Sequence, residues 1–529
     1  MATESAEIPT PSKPVAKPVA VIDVGTSSIR MAIAEIDENG GVRTLETLSQ
    51  AVSLGKDTFT RNLIQKSTIE DCVRVLKSYG NVLQQYKIES DDQIRVIATS
   101  AVREAENQLA FLDRIFIATG IQVEPLDEAE VNRITYMGIQ PYLKADPELD
   151  AAKTVVTEIG GGSTELLLVQ GNQVLFSQTY RLGSLRLRET FEAFRAPGMK
   201  LREIMQSQID RIVDQIVQQL PHEESIQMIA LGGDVRFAAS QLIPDWKSED
   251  LGRLPVAALR RFTDEMLQLT ADVLVQRYHL SFPDAETLGP ALLAYARLAH
   301  ALKLDDILIT NVNLRDGMLN EMAARGVGSE EFNNQVIRST LELGRKFQFD
   351  ENHATHVAEL CRTLFRQLQN EHELQPRFEL ILYNGALLHE VGMFLSTDGY
   401  HKHSMYMIQN SELFGLSERD LLLVSLVARY HRRASPKPSH QGYANLDRNS
   451  RVAVSKMAAI LRIADALDHS RSQRISEVKC IREDGKLVIS VPHVDDLSLE
   501  QLAMKQNGTL FDEIYGLQVL LRRQAATND

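Results

Sequence analysis

Cysteine is scarce: Cys72, Cys361 and Cys480 are the only three in 529 residues, far apart and without a CxxC pair. That excludes a disulfide framework and a zinc ribbon, and leaves free thiols suited to a reducing compartment. An excess of positive charge is also missing, since 57 Lys and Arg face 71 Asp and Glu for a net charge of −14. General coating of nucleic acid is excluded, because a phosphate backbone needs a basic face; a polyanion in a local basic groove is not. No apolar run approaches the ~20 residues that a bilayer-spanning helix needs; Leu421 to Val427 is among the longest. The opening residues form no basic and apolar leader, so a cytoplasmic location is expected.

What is present is the balance of a soluble folded protein, with 44% hydrophobic and 24% charged residues. The length calls for several cores. Pro9, Pro11, Pro14 and Pro18 among small polar residues mark residues 1–18 as a flexible tail. Order is expected from Val19, where Val19 to Ile22 reads as a buried strand. Ile69, Cys72, Val73 and Leu76 then share one helical face, Ile94 to Ala98 is a strand, and Ile209 to Leu220 repeats the helical period before a strand at Ile226 to Leu231. Strands alternating with helices give an α/β class. Composition changes at Gly326-Val327-Gly328-Ser329; helical signals dominate to about residue 475, and Asp484-Gly485 between two short apolar strands predicts a hairpin in a small α+β unit.

One internal repeat carries most of the functional information. Val21-Ile22-Asp23-Val24-Gly25-Thr26-Ser27-Ser28 and Val156-Thr157-Glu158-Ile159-Gly160-Gly161-Gly162-Ser163-Thr164-Glu165 each run from a buried strand, through an acid, into a Gly-rich turn and a second strand. Glycines let backbone N–H groups approach an anion, and hydroxyls add donors. An acid beside that anion makes sense with a hydrated metal between them. Two ordinary hairpins with strain-relieving glycines are the alternative reading, weakened by the matched acids. Ala230-Leu231-Gly232-Gly233-Asp234 is a third Gly-rich strand end.

At these residues the chain resembles the exopolyphosphatase and guanosine pentaphosphate phosphatase (Ppx/GppA) family of the actin-like ATPase superfamily. Ala98 to Ala105, Arg181-Leu182-Gly183-Ser184, Leu314-Arg315-Asp316-Gly317, Ala386 to Gly392 and His401 to Ser404 extend the resemblance along nearly the whole chain. It implies duplicated ribonuclease-H-like subdomains at 19–132 and 133–325, a helical HD-like domain at 326–475 and a small α+β domain at 476–529. It also implies removal of terminal phosphate from inorganic polyphosphate or guanosine pentaphosphate, with a homodimer as the expected assembly. Asp23 and Glu158 would hold Mg²⁺. Gly25, Thr26, Ser27, Ser28, Gly160, Gly161, Gly162, Ser163, Thr164 and Arg103 would bind phosphate, and Glu165 would act near the metal. Arg30, Arg181 and Arg315 are further candidates.

The chain departs from the family in three places. The family's general base falls on Val131, which cannot take a proton; Glu130, one residue earlier, is a candidate base but also completes the Asp-x-x-Glu spacing of a helix capping box with Asp127. Glu158 stands where the family usually has Asp. In the helical part, His356, His389-Glu390, His403, His431 and Asp465 follow the order of HD-type metal phosphohydrolases, with Glu in place of the doublet's Asp. Of these, His356, His389, Glu390, His431 and Asp465 are candidates for a second divalent-metal site, with histidines satisfied inside a helical core as the alternative reading. Arg429, His431, Arg432, Arg433, Lys437 and His440 concentrate positive charge, as a solvated loop or as a track for the distal end of polyphosphate. The expected function is therefore a slow exopolyphosphatase. The alternatives are a guanosine pentaphosphate phosphohydrolase, a weakly active polyphosphate or alarmone sensor, a phosphohydrolase centred on His389-Glu390, and, more distantly, a sugar kinase.

Overall fold

The computed structural model describes residues 17–171, 173–192, 198–221, 226–247, 250–324, 330–432 and 434–523. The expected tail lies outside them as far as residue 16, but its last two residues, Lys17 and Pro18, already pair as part of the first strand; the composition change at Gly326 to Ser329 and Arg433 also lie outside. The chain forms two units, Met1–Gly328 and Ser329–Asp529.

The first unit contains two sheets. In one, β1 (Lys17–Val24), β2 (Ser28–Ile36), β3 (Val42–Ala51), β4 (Ile94–Ala98) and β5 (Glu124–Pro125) take the order β3-β2-β1-β4-β5. In the other, β6 (Lys153–Ile159), β7 (Thr164–Gln170), β8 (Gln173–Tyr180), β9 (Ile226–Leu231), β10 (Gly252–Pro255) and β11 (Asp306–Ile309) take the order β10-β11-β9-β6-β7-β8. Without the edge strand β10, the second order is the first one read from the other side. Strand directions also agree: β1–β2 and β6–β7 are antiparallel, while β1–β4 and β6–β9 are parallel. This is the duplicated, actin-like α/β architecture that the sequence predicts.

β1 and β6 are central strands covered on both faces, which is why they read as continuous apolar runs. Strand alternation sends Ala20, Ile22 and Val24 into the core under the helix Lys66–Gln85, and Val19 and Val21 to the opposite face. Asp23 has the parity of Val19 and Val21. In β6, Val155 and Ile159 enter one core, and Glu158 has the opposite parity. The two acids therefore occupy equivalent positions on equivalent faces of the two sheets.

Two helices close the face beneath Asp23. Glu128–Ala145 and Leu314–Ala323 each begin with a capping box, on Asp127 and on Asn313. Where they cross, Gly138 lies against Val312, and a Cβ on Gly317 would overlap the Ile134 carbonyl. Glycine is required there by close approach. Arg133 pairs with Glu321 at 2.7 Å across the same contact.

The second unit packs the helices Glu330–Lys346, Glu351–Gln367, Arg377–Leu387, Tyr400–Gln409, Glu418–Arg429 and Arg448–Leu467 with a sheet of β12 (Lys479–Glu483), β13 (Lys486–Val491) and β14 (Gln518–Arg523). Asp484 and Gly485 both have positive φ, 45° and 73°, as the predicted hairpin turn requires. Leu487, Ile489 and Leu521 of this sheet enter the same apolar core as the helices. Cys72 and Cys361 are buried free thiols. No helix among the described residues is long and apolar enough to cross a membrane.

The helix crossing generates a prediction. Gly317→Ala should force the two helices apart and destabilise the protein by about 1–3 kcal/mol, as overpacking of a tight contact does. Denaturant unfolding would show a lower midpoint; an unchanged midpoint would mean that the crossing is loose.

Candidate active site

The two Gly-rich turns are built alike at the level of single hydrogen bonds. The Gly25 N–H donates to the Ser28 carbonyl at 3.0 Å, and the Gly160 N–H donates to the Ser163 carbonyl at 2.9 Å. Each turn is anchored through its own carbonyls. Thr26 O and Ser27 O accept from Gly55 N and Val52 N, while Gly160 O and Gly161 O accept from Ser184 N and Arg186 N. The guanidinium of Arg186 adds a bond to Gly162 O at 2.7 Å and pairs with Glu104 at 2.6 Å, tying the second turn to the first sheet's subdomain.

The turns face each other in contact. A Cβ on Gly161 would overlap the Thr26 hydroxyl, and one on Gly162 would overlap Ser100. Around them lies a cavity of about 300 Å³ whose walls include Asp23, Gly25 to Ser28, Arg103, Glu158, Gly160 to Ser163 and Glu165. Thr164 and Arg181 are elsewhere. Thr164 is buried in β7, where its hydroxyl donates to the Leu182 carbonyl, because strand alternation turns it away from its neighbours on the wall. Arg181 is exposed and paired with Glu104 at 2.7 Å.

The helix Glu128–Ala145 places residues 130 and 131 differently. Val131 is on the cavity wall. Glu130 is not among the wall residues: its carboxylate accepts from Asp127 N at 2.9 Å, while Asp127 accepts from Glu130 N at 2.9 Å. The capping box has claimed it, and one residue along a helix is a ~100° rotation.

The cavity is dominated by buried acids. Burial raises the Asp23 carboxyl above its usual range, opposed by Arg315 and Arg30, and raises Glu158 likewise, opposed by Arg236 and aggravated by the charge of Asp23. Glu165 is pushed up to about 7, chiefly by burial and partly held down by the Ser163 hydroxyl, which donates to it at 2.6 Å. Asp234, at the third Gly-rich strand end, also rises to about 7, through burial and the neighbouring Asp284. Arg315 sits 3.5 Å from Asp23.

Asp23 and Glu158 fit a divalent cation. The Asp23 Oδ1 is buried with no hydrogen-bond partner, and the charge of Asp23 raises the proton affinity of Glu158. Mg²⁺ characteristically takes one or two carboxylates and completes its shell with water and phosphate, so a pair of acids suffices. Three contributors escape the sequence reading. Arg236 and Asp284 carry no local pattern, and Ser100 lies within the quoted Ala98 to Ala105 segment without any mark of its role.

Glu130 yields a clear expectation. Glu130→Gln, which can still complete the capping box, should leave both stability and phosphate release near wild type. Glu130→Ala should lower stability by about 0.3–1.5 kcal/mol with release retained. Side-by-side denaturation and phosphate assays decide this, and loss of release in the Gln variant would make Glu130 the base.

Comparison with known proteins agrees with this geometry. The model of the Ppx/GppA phosphatase family matches residues 32–325, and that of Ppx/GppA phosphatase, domain III, matches residues 337–506. A guanosine-5'-triphosphate,3'-diphosphate pyrophosphatase of Aliivibrio fischeri is 23% identical over 474 residues, covering 89% of this chain and 90% of that protein. Its counterpart in Photobacterium profundum is 23% identical over 495 residues, with 90% and 92% covered. Among solved structures, an exopolyphosphatase from Cytophaga hutchinsonii shares the fold with a TM-score of 0.52 and 21% identity, covering 58% of this chain and 98% of that one. Matched turns, duplicated sheets and both family models lead to one conclusion: the chain belongs to the Ppx/GppA phosphatase family, hydrolases that act on phosphoanhydride bonds.

Proposed function

We propose that the chain releases terminal phosphate from inorganic polyphosphate by attack of water in the cleft between the two Gly-rich turns. The single observation that carries this reading is the in-register pair of turns, each with an acid beside it on the cavity wall, facing each other across one cavity. The remaining backbone N–H groups of the two turns, Thr26 to Ser28 and Gly161 to Ser163, with the hydroxyls of Thr26, Ser27 and Ser28, bind the terminal phosphates, and Arg103 adds a charged donor. Arg103 is already oriented by the Leu126 carbonyl at 2.9 Å. Asp23 and Glu158 would hold Mg²⁺, which when bound neutralises phosphate oxygens.

Val131 occupies the position of the family's base and cannot accept a proton. Glu165 is the wall acid best suited to take the proton from water, because its affinity for a proton lies near neutrality. Ser163 holds its carboxylate in place. Without the dedicated base, turnover is slow.

Guanosine pentaphosphate is a second reading, favoured by the curated relatives' names and by the far end of the cavity. There Phe237, Leu280 and Leu288 offer apolar surface beside the carboxyls of Asp234 and Asp284, groups that would suit a nucleobase better than a polyphosphate chain. Phosphate release measured on long polyphosphate and on guanosine pentaphosphate, with and without Mg²⁺, distinguishes the two. Release from neither substrate sinks both readings, and tight polyphosphate binding without release identifies a sensor.

Two variants test the chemistry. Glu165→Gln should lower release by about 10²–10⁴, the usual contribution of a general base. Val131→Glu should raise it by a large part of the same factor. Val131 also packs against Ile134, Leu314 and Met318, so its melting temperature must be measured in parallel. A folded Val131→Glu protein with unchanged slow release would show that residue 131 is not where the missing base belongs.

A further inference from the structure

In the helical unit, four side chains from four separate elements converge on one point. His353 lies near the start of Glu351–Gln367, His389 just beyond Arg377–Leu387, His431 just beyond Glu418–Arg429, and Asp465 near the end of Arg448–Leu467. Ring centroids of His353 and His389 are 5.5 Å apart, and those of His389 and His431 are 5.0 Å apart. All three imidazoles are buried.

Each ring has its Nδ1 committed. His353 Nδ1 lies 2.8 Å from the Asp468 carboxylate, His389 Nδ1 lies 2.6 Å from the Ala386 carbonyl, and His431 Nδ1 lies 2.5 Å from the Ala428 carbonyl. Carbonyls and carboxylates only accept, so each Nδ1 carries the hydrogen, and a neutral ring then directs its Nε2 lone pair inward. The Nε2 atoms of His353 and His389 are buried with no hydrogen-bond partner. They stand 3.5 and 3.7 Å from the same oxygen, Asp465 Oδ1. Ligand atoms on a tetrahedral ion with bonds of ~2.0–2.2 Å are roughly 3.3–3.6 Å apart, within about 0.1 Å of both distances.

We propose that His353, His389, His431 and Asp465 bind one divalent transition-metal ion. Three imidazoles and a carboxylate favour Zn²⁺, Mn²⁺ or Fe²⁺ over Mg²⁺, which prefers oxygen alone. The site differs from the sequence expectation at two places. His353 supplies the first imidazole, and His356, one turn further along the helix, does not. Glu390 lies within reach of His353 and His389, but both its oxygens are held by Arg471 at 2.7 Å, so it orders the rim of the site and is not a ligand. The Tyr400 hydroxyl, 3.3 Å from His431 Nε2, stands beside the ion's position. His403 is not part of the group. Because His431 points inward, it is also lost to any basic track built from its neighbours.

The ion joins four helical elements, so its binding should be readable without any assay of the cleft. Full-length protein would be stripped with chelator, reloaded with Zn²⁺, Mn²⁺ or Co²⁺ in turn, and its metal content measured by elemental analysis. The expected result is one ion per chain, visible absorption from the Co²⁺ form, and a higher melting temperature for loaded protein. His389→Gln and Asp465→Asn should each lower the affinity at least tenfold and abolish the Co²⁺ bands, whereas His356→Ala should keep both. Wild-type protein that takes up no transition metal would overturn the proposal, leaving a purely hydrogen-bonded cluster. So would uptake unaffected by His389→Gln, or loss of the ion in His356→Ala with its fold intact. If the ligand variants fail to fold, the wild-type stoichiometry and Co²⁺ spectrum still decide.

Discussion

Two carboxylates at equivalent strand ends, the buried Asp23 and the half-buried Glu158, share one cavity, and much of the first unit is arranged around that fact. Removing an ionised carboxylate from solvent costs on the order of several kcal/mol unless charge compensates it. Arg315 approaches Asp23 from the capped helix below, and Arg236 acts on Glu158 from the helix after the third Gly-rich turn. The compensation is partial, since both carboxyls remain raised and one Asp23 oxygen has no partner. A site left short of positive charge in this way suits a divalent cation that arrives with the substrate phosphates.

Duplication explains why the two acids meet. Each sheet has the same strand order and the same hairpin at its centre, and each hairpin ends in the same N–H to carbonyl bond. Facing the two copies brings turn against turn so tightly that only glycine fits at Gly161 and Gly162. The second copy has diverged where the chemistry differs. The partner of Asp23 across its hairpin is Arg30, whereas the partner of Glu158 is Glu165. The first hairpin thus supplies a cation beside its acid, and the second supplies another acid whose proton affinity lies near neutrality.

The helical unit solves a different problem with the same economy of donors. Its three buried imidazoles are each satisfied on one nitrogen by a carbonyl or carboxylate, which turns the other nitrogen of His353 and His389 toward Asp465 and that of His431 toward the Tyr400 hydroxyl. Ordering the rings through their outer nitrogens is the arrangement that metal sites require of their ligands.

The sequence by itself determined the α/β class, the strands Ile94–Ala98 and Ile226–Leu231, the duplicated turns and the C-terminal hairpin, because these depend on local periodicity and on turn residues a few positions apart. It also carried the capping box of Asp127 and Glu130, since that interaction spans three residues. Only the tertiary structure decided the rest. Whether Thr164 faces the cleft or the core depends on strand parity within a sheet, and whether Arg181 binds substrate or Glu104 depends on a partner 77 residues away. Asp284 reaches the cavity wall, and Arg236 acts on Glu158, through helix packing that no local pattern encodes. His353 and His356 share a helix three residues apart, so spacing could not choose between them. That choice rests on Asp468, which is 115 residues distant in the chain and in hydrogen-bond contact with His353 in the fold.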